Sequence, residues 1–380
     1  MEKVRNYKKK GIYIMIKHKD HFHGSDLEEI EKSFGIKKED ITSFSANVNP
    51  LGISTRLRTA LGGQLDAITR YPDREYTKLR QCISDYTNAH MENIIMGNGS
   101  TELISLFIQV NHPKKALILG PTYSEYERDI NLGGGSCMYY PLKEKQDFQP
   151  DVDDLCRQLH DGLDLLVICN PNNPTSTALT NSQMRRILDT CLQYGIFVMV
   201  DETYVEFAPN ELSITSVKLT NYYTNLIILR GTSKFFAAPG LRLGYAITGN
   251  QDLISEINLR KDPWTINSLA EIAGQIMFQD QAYIQATKDL ISAERDRVFN
   301  ILSGWETVKV YPPQGNFILM RILRDDVDAP MLFEHCIRKG LMIRDCSTFP
   351  FLDSKYIRFC MMLPQQNDAL LDAFREKLLQ

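Results

Sequence analysis

In the stretch RGTSKFFAAPGLRLGY, residues 230 to 245, Lys234 follows two hydroxyl residues and Arg242 comes eight positions later. A lysine amine attacks a carbonyl once it is neutral, and nearby cations with partial desolvation lower its pKa. Arginine keeps its charge and offers a forked donor that suits phosphate. Taken alone, both residues also read as solvated side chains at a strand end. Three other stretches add chemistry. GNGSTELI, residues 97 to 104, is a glycine-bearing turn that opens a helix. Free N–H groups and the positive end of the helix dipole at Gly99 suit a phosphate. Ser100 and Thr101 add hydroxyls, and the plainer reading makes Ser100 a helix cap. NPNNPTS, residues 170 to 176, follows an apolar run, and its two prolines and three asparagines fix a backbone and present amides. A plain turn has the same composition. VMVDETYVEF places Asp201 at the end of a buried strand. A carboxylate is costly there unless it meets a cation. Tyr204 follows three residues on and reaches the same place if the chain turns helically.

These groups need elements that bring them together. KALIL (115–119), LDLLVIC (163–169), GIFVMVD (195–201), NLIILR (225–230) and LRLGYAIT (241–248) read as buried strands. Amphipathic segments such as SQMRRILDTCLQY (182–194) lie between several of them. This alternation predicts an α/β layer with a largely parallel sheet. Ligands in such sheets sit at the carboxyl ends of the strands. Beyond about residue 262 the pattern changes to one long helix over 267–302, strands near VKVYPP, GNFILMRI and YIRFCMM, and helices over 330–339 and 367–379, a smaller α+β unit. The expected organisation is an extension over 1–21, a segment over 22–65 packed on the small unit, a large domain over 66–262 and a small domain over 263–380. Lys10-Gly11 lies just upstream of Met15. Its codons can spell a purine-rich ribosome-binding sequence, so a start at Met15 is expected if the source is bacterial.

The 380 residues carry a formal net charge of −4, with 43% hydrophobic and 24% charged content. That balance argues against a nucleic-acid footprint, and no apolar run reaches a membrane span. The eight cysteines are scattered without a CxxC pair. Their spacing gives no metal site and fits a reducing cytoplasm.

In this order, GNGSTE, NPNNPT, DETY and TSK…GLRLG resemble the aminotransferase class I/II family of fold type I pyridoxal-phosphate enzymes. The resemblance covers about residues 22–375. It implies pyridoxal 5′-phosphate as cofactor and Lys234 as the residue that forms an imine with it. It implies that Gly99, Ser100, Thr101, Ser233 and Arg242 hold the phosphate. Asp201 would meet the protonated ring nitrogen, Asn173 and Tyr204 the ring O3′, and Tyr123 the ring face. Tyr71, in RYPDREY, resembles a tyrosine that reaches the neighbouring subunit's cofactor, which implies a homodimer with shared sites; alone it reads as a turn aromatic before Pro72.

The flanks HGSDLEEIEKSFG, FSANVNPLG, KFFAAPGLRLGY, GLMIRDCSTF and YIRF resemble the branch that decarboxylates L-threonine O-3-phosphate to (R)-1-amino-2-propanol phosphate for cobalamin. His23-Gly24-Ser25 stands where that branch has His-Gly-Gly. The implied substrate residues are Arg358 for the carboxylate and Arg344 for the phosphate, with His23 and Asn47 closing over them. Arg344 also reads as a salt-bridge partner of Asp345. Histidinol-phosphate aminotransferase, L-serine O-phosphate decarboxylase and a non-enzymatic cofactor-binding regulator remain open alternatives.

Overall fold

A computed structural model describes residues 27–380. Its strands, in chain order, are β1 (Thr42–Ser43), β2 (Ile94–Asn98), β3 (Lys115–Gly120), β4 (Ser136–Pro141), β5 (Leu165–Cys169), β6 (Phe197–Asp201) and β7 (Leu226–Gly231). They continue as β8 (Leu243–Ile247), β9 (Val308–Val310), β10 (Phe317–Ile322), β11 (Leu341–Met342), β12 (Arg344–Asp345) and β13 (Tyr356–Cys360). A seven-stranded sheet has the order β2-β8-β7-β6-β5-β3-β4. Only β8 runs against the others. The central strands β5 and β7 are buried throughout, because helices cover both faces. Their Leu/Ile/Val runs are what such strands require.

The parallel strands β3, β5, β6 and β7 therefore end at one edge, at Gly120, Cys169, Asp201 and Gly231. Reversed β8 brings its first residue, Leu243, to that same edge, and Arg242 with it. β2 also ends there, at Asn98, and the helix Gly99–Asn111 follows without an intervening loop. A Cβ on Gly244 would lie 2.4 Å from the Gly99 carbonyl carbon, so this close crossing of β8 over the helix start requires glycine.

After residue 262 the expected single helix is two, Ser268–Met277 and Gln281–Ser303. Asp280 starts the second by accepting the Tyr283 N–H at 3.3 Å, and a capping aspartate costs the helix its continuity. A four-stranded antiparallel sheet, β12-β13-β10-β9, follows with helices Ala329–Ile337 and Pro364–Leu378. The first described helix, Leu27–Phe34, packs Ile30 against Ile337 and Met342. β1 pairs with β11 in parallel. The chain then passes from the small sheet to the edge of the large one through Ser45–Asn49.

Candidate active site

At the shared strand edge lies a cavity of about 470 Å³. Lys234 is the central cation. Its Nζ donates to the Ala46 carbonyl at 2.7 Å. Burial, reinforced by the positive charge of Arg358, lowers its pKa to about 8. Asp201, three strands along the sheet from β2 and the helix start at Gly99, accepts Tyr126 Oη at 2.6 Å and the Thr203 N–H at 2.9 Å. The Thr203 hydroxyl donates to the same carboxylate at 2.5 Å. Three donors keep a buried carboxylate oriented without a salt bridge. Tyr204, pushed up to about 12 by burial, stays a neutral phenol. Burial also raises the Tyr123 phenol.

The cavity is lined by Gly99, Ser100, Thr101, Tyr123, Asn173, Asp201, Tyr204, Ser233, Lys234, Arg242, Arg344 and Arg358, among the residues that the resemblance implied. Arg358 donates to the Asn173 side-chain oxygen and, at 2.5 Å, to the Ser45 carbonyl. Arg344 donates to the Thr348 hydroxyl at 3.1 Å and lies 5.5 Å from the Phe349 ring centre. The Asp345 carboxylate is engaged by the Ser347 N–H at 2.8 Å. The Asn170–Pro171 and Asn173–Pro174 peptides are cis.

Of four further expectations, two have other surroundings than the sequence suggested, one concerns a partner subunit and one lies outside the described residues. Asn47 is buried and is not part of the cavity wall, unlike its neighbours Ser45, Ala46 and Val48. It has φ 56° and donates to Tyr204 Oη at 3.4 Å, so it touches the tyrosine rather than the cavity. Ser100 is not the helix cap: Asn98 holds that position, and Glu102 reaches back to its N–H at 2.6 Å. Tyr71 is 80% exposed and packs on Trp264 at 4.7 Å, away from this chain's own cavity. His23 lies outside the described residues. Sequence reasoning missed Tyr126, on the first turn of the helix Glu125–Leu132. The carbonyls of Ser45 and Ala46 carry no side-chain signal at all.

The donor set fits pyridoxal phosphate. A Cβ on Gly99 would stand 2.5 Å from Arg242 Nη2, and Gly99 has φ +77°, so the bare turn leaves a cradle under a guanidinium. Ser100, Thr101 and Ser233 line the same cavity, which suits a phosphate at a helix start. Asp201 supplies a carboxylate for a ring N–H, and Lys234 a partly neutral amine for a carbonyl. The fold and these groups together define a fold type I pyridoxal-phosphate protein. The chain belongs to the aminotransferase class I and II family, whose model matches residues 39–374. It is 33% identical to the threonine-phosphate decarboxylase of Salmonella typhimurium LT2, over 94% of this chain and 96% of that protein. It is 34% identical to the histidinol-phosphate aminotransferase of Roseiflexus castenholzii, over 92% of this chain and 93% of that one. Among solved structures, the histidinol-phosphate aminotransferase of Clostridium acetobutylicum matches with TM-score 0.82 and 29% identity, covering 88% of this chain and 98% of the other. Identity alone therefore does not separate the two activities.

Proposed function

We propose that this chain decarboxylates L-threonine O-3-phosphate to (R)-1-amino-2-propanol phosphate and CO₂, in the assembly of cobamides. The observation that carries the reading is the charge of the cavity. Lys234, Arg242, Arg344 and Arg358 face Asp201 and Glu125 among the described lining residues. With Arg242 for the cofactor phosphate and Lys234 for its carbonyl, two arginines remain. A phosphorylated amino acid has two anionic ends to meet them, whereas histidinol phosphate has one.

When bound, pyridoxal phosphate supplies an electron sink that lowers the barrier to breaking a bond at the substrate's Cα. Arg358 holds the carboxylate and Arg344 the phosphate, each as a planar forked donor. Gripping both ends fixes rotation about the N–Cα bond and so selects the bond that breaks; such orientation contributes several kcal/mol, up to about 7–11. Tyr126 and Thr203 keep Asp201 aimed at the ring nitrogen. Asn173 and Tyr204 would donate to the ring oxygen. Lys234, protonated in about nine-tenths of molecules at pH 7 for a pKa near 8, would carry on Nζ the proton that replaces CO₂ at Cα.

The protein acts as a homodimer in the cytoplasm. Leu65, Ile68, Tyr71, Leu259 and Trp264 expose apolar surface together with the Tyr71–Trp264 ring pair, and a second copy would cover them and receive Tyr71 at its cofactor phosphate. All eight cysteines are free, which suits a reducing compartment. Among the described residues no helix is long and apolar enough to cross a membrane. The division into a large domain over 66–262 and a small one over 263–380 places the cofactor groups on the first and both substrate arginines on the second.

The test is incubation of the holoenzyme with threonine phosphate, serine phosphate, and histidinol phosphate plus 2-oxoglutarate. CO₂ and an amino-alcohol phosphate without an oxo-acid acceptor support the reading. Faster CO₂ release from serine phosphate moves the substrate assignment by one methyl. Glutamate from histidinol phosphate, with no CO₂ from either phospho-amino acid, replaces it with the aminotransferase. For the shared site, Lys234→Ala chains mixed with Tyr71→Ala chains should gain activity over either parent.

A further inference from the structure

Behind the cavity wall lies a second charged cluster that the proposed chemistry does not use. Glu202 follows Asp201 directly, and its side chain is fully buried on the other side of the strand ends. It accepts Arg230 Nε at 3.0 Å and Nη2 at 2.8 Å, the Ser216 N–H at 2.5 Å and the Thr215 hydroxyl at 2.9 Å. Arg230 is itself fully buried, four residues before Lys234. The ion pair thus ties the strand end that carries Asp201 to the strand that leads into the lysine loop.

Glu206 and Glu211 complete the cluster. Glu211 lies 3.3 Å from Arg230 Nη1 and 3.1 Å from Lys288 Nζ. Glu206 is buried, and neither of its carboxylate oxygens has a hydrogen-bond partner. Arg230 Nη1 stands 4.0 Å from it, beyond hydrogen-bond distance. Tyr86 on the helix Thr77–Thr87 and Tyr245 on β8 also face this group, and their hydroxyls are buried and unpartnered too. Three carboxylates therefore share two cations, Arg230 and Lys288. Glu202 and Glu211 take the hydrogen bonds that the two cations make to carboxylates. A third ionised carboxylate with no donor is the costly arrangement in a dry interior.

We propose that Glu206 is a buried carboxylic acid that keeps its proton at neutral pH, and that this proton reserves Arg230 for Glu202 as a positioning pair between the Asp201 turn and the Lys234 loop. The balance is internal to the cluster: when Glu206 ionises, a third carboxylate competes for the same guanidinium. The turn at risk is Asp201–Tyr204, which carries two groups of the site. Burial, with the nearby charges of Glu211 and Glu202, outweighs the opposing pull of Arg230 and raises Glu206 to about 8.

The sign of the pH effect follows. A carboxyl whose pKa is raised on folding binds more proton in the folded state between about pH 4.5, its model value, and about 8. Its contribution is full below that window and is lost as pH rises through 8. Glu206→Gln mimics the protonated acid and cannot ionise. The denaturation midpoints of wild type and Glu206→Gln should therefore diverge progressively from about pH 5 to pH 8, in favour of the variant, and run parallel above that. Glu202→Gln removes a negative charge that raises Glu206 and frees Arg230 to attract it, so the pH-dependent loss of stability in that variant should be complete at lower pH. The ratio of wild-type to Glu206→Gln dissociation constants for pyridoxal phosphate should rise from pH 6 to pH 9; the titration of Lys234 is common to both proteins and cancels. Parallel pH–stability curves for wild type and Glu206→Gln between pH 5 and pH 8 would overturn the proposal. So would a flat ratio of dissociation constants. Should Glu206→Gln fold poorly, Glu206→Met tests the same balance, because it too removes the ionisable group.

Discussion

The cavity sets four cations against two lining carboxylates, while behind its wall Glu202, Glu206 and Glu211 meet Arg230 and Lys288. Both groups are largely buried and share the same strand ends. Asp201 and Glu202 are consecutive, yet the pleat sends one to each side. The front cluster carries surplus positive charge and opens onto space, so it suits anionic ligands. The rear cluster is closed and matched by its own side chains and one proton. Burial of a charge thus says little about function; what matters is whether its counter-charge is supplied by the protein.

The sharpest break is Lys234→Ala. It removes the only amine among the described lining residues, and turnover should fall by a factor of at least ~10³, with no borohydride-reducible absorbance left. A variant that keeps that absorbance at wild-type level would dislodge Lys234 from the front cluster's centre. At the rear, Arg230→Met strips two carboxylates of their partner in a dry interior. Stability should drop by about 3–5 kcal/mol, read as a denaturation midpoint; a change under about 1 kcal/mol would show that the rear cluster is not closed and matched.

Arg358→Ala should cost about 1.5–3 kcal/mol of substrate binding, the value of charge-assisted bonds, seen as a roughly tenfold to hundredfold rise in KM. Stability should change less than in Arg230→Met, since Arg358 faces the cavity; an equal loss would erase the contrast between the clusters. A pH test comes next in size. The amine of Lys234 becomes neutral as pH rises through about 8. The rate at which apoprotein captures pyridoxal phosphate should therefore climb about tenfold per unit below that pH and level off above it. A rate independent of pH between 6 and 9 would count against a depressed lysine. The smallest effect belongs to Tyr71→Phe, which in the proposed dimer would remove one bond from an uncharged donor and should weaken cofactor retention by about 0.5–1.5 kcal/mol, less than Arg242→Ala.

Much of the front cluster was legible because its parts are side chains of distinctive type at strand ends: Asp201 closing an apolar run, Lys234 after its hydroxyls, glycines where a helix begins. The order of those motifs along the chain carried the family resemblance. Asn47, a polar residue in FSANVNP, looks available from the sequence, whereas in the fold it has a left-handed backbone and its side chain meets Tyr204. The helix after residue 267 was read as unbroken because Asp280 lies within a sequence of good helix formers, and a cap is visible only once the chain turns. The carbonyls of Ser45 and Ala46, which receive Arg358 and Lys234, have no signature in residue type.

By itself the sequence determined the α/β layer, the buried strands and the kinds of charge available, because periodicity and side-chain chemistry are local properties. Only the tertiary structure decided which charges meet. Reversal of β8 puts Arg242 over Gly99 at the edge where the parallel strands end. The pleat at Asp201–Glu202 separates a carboxylate that serves the cavity from one that grips Arg230. Whether a buried charge is balanced depends on neighbours tens or hundreds of residues away, and distance along the chain carries no record of them.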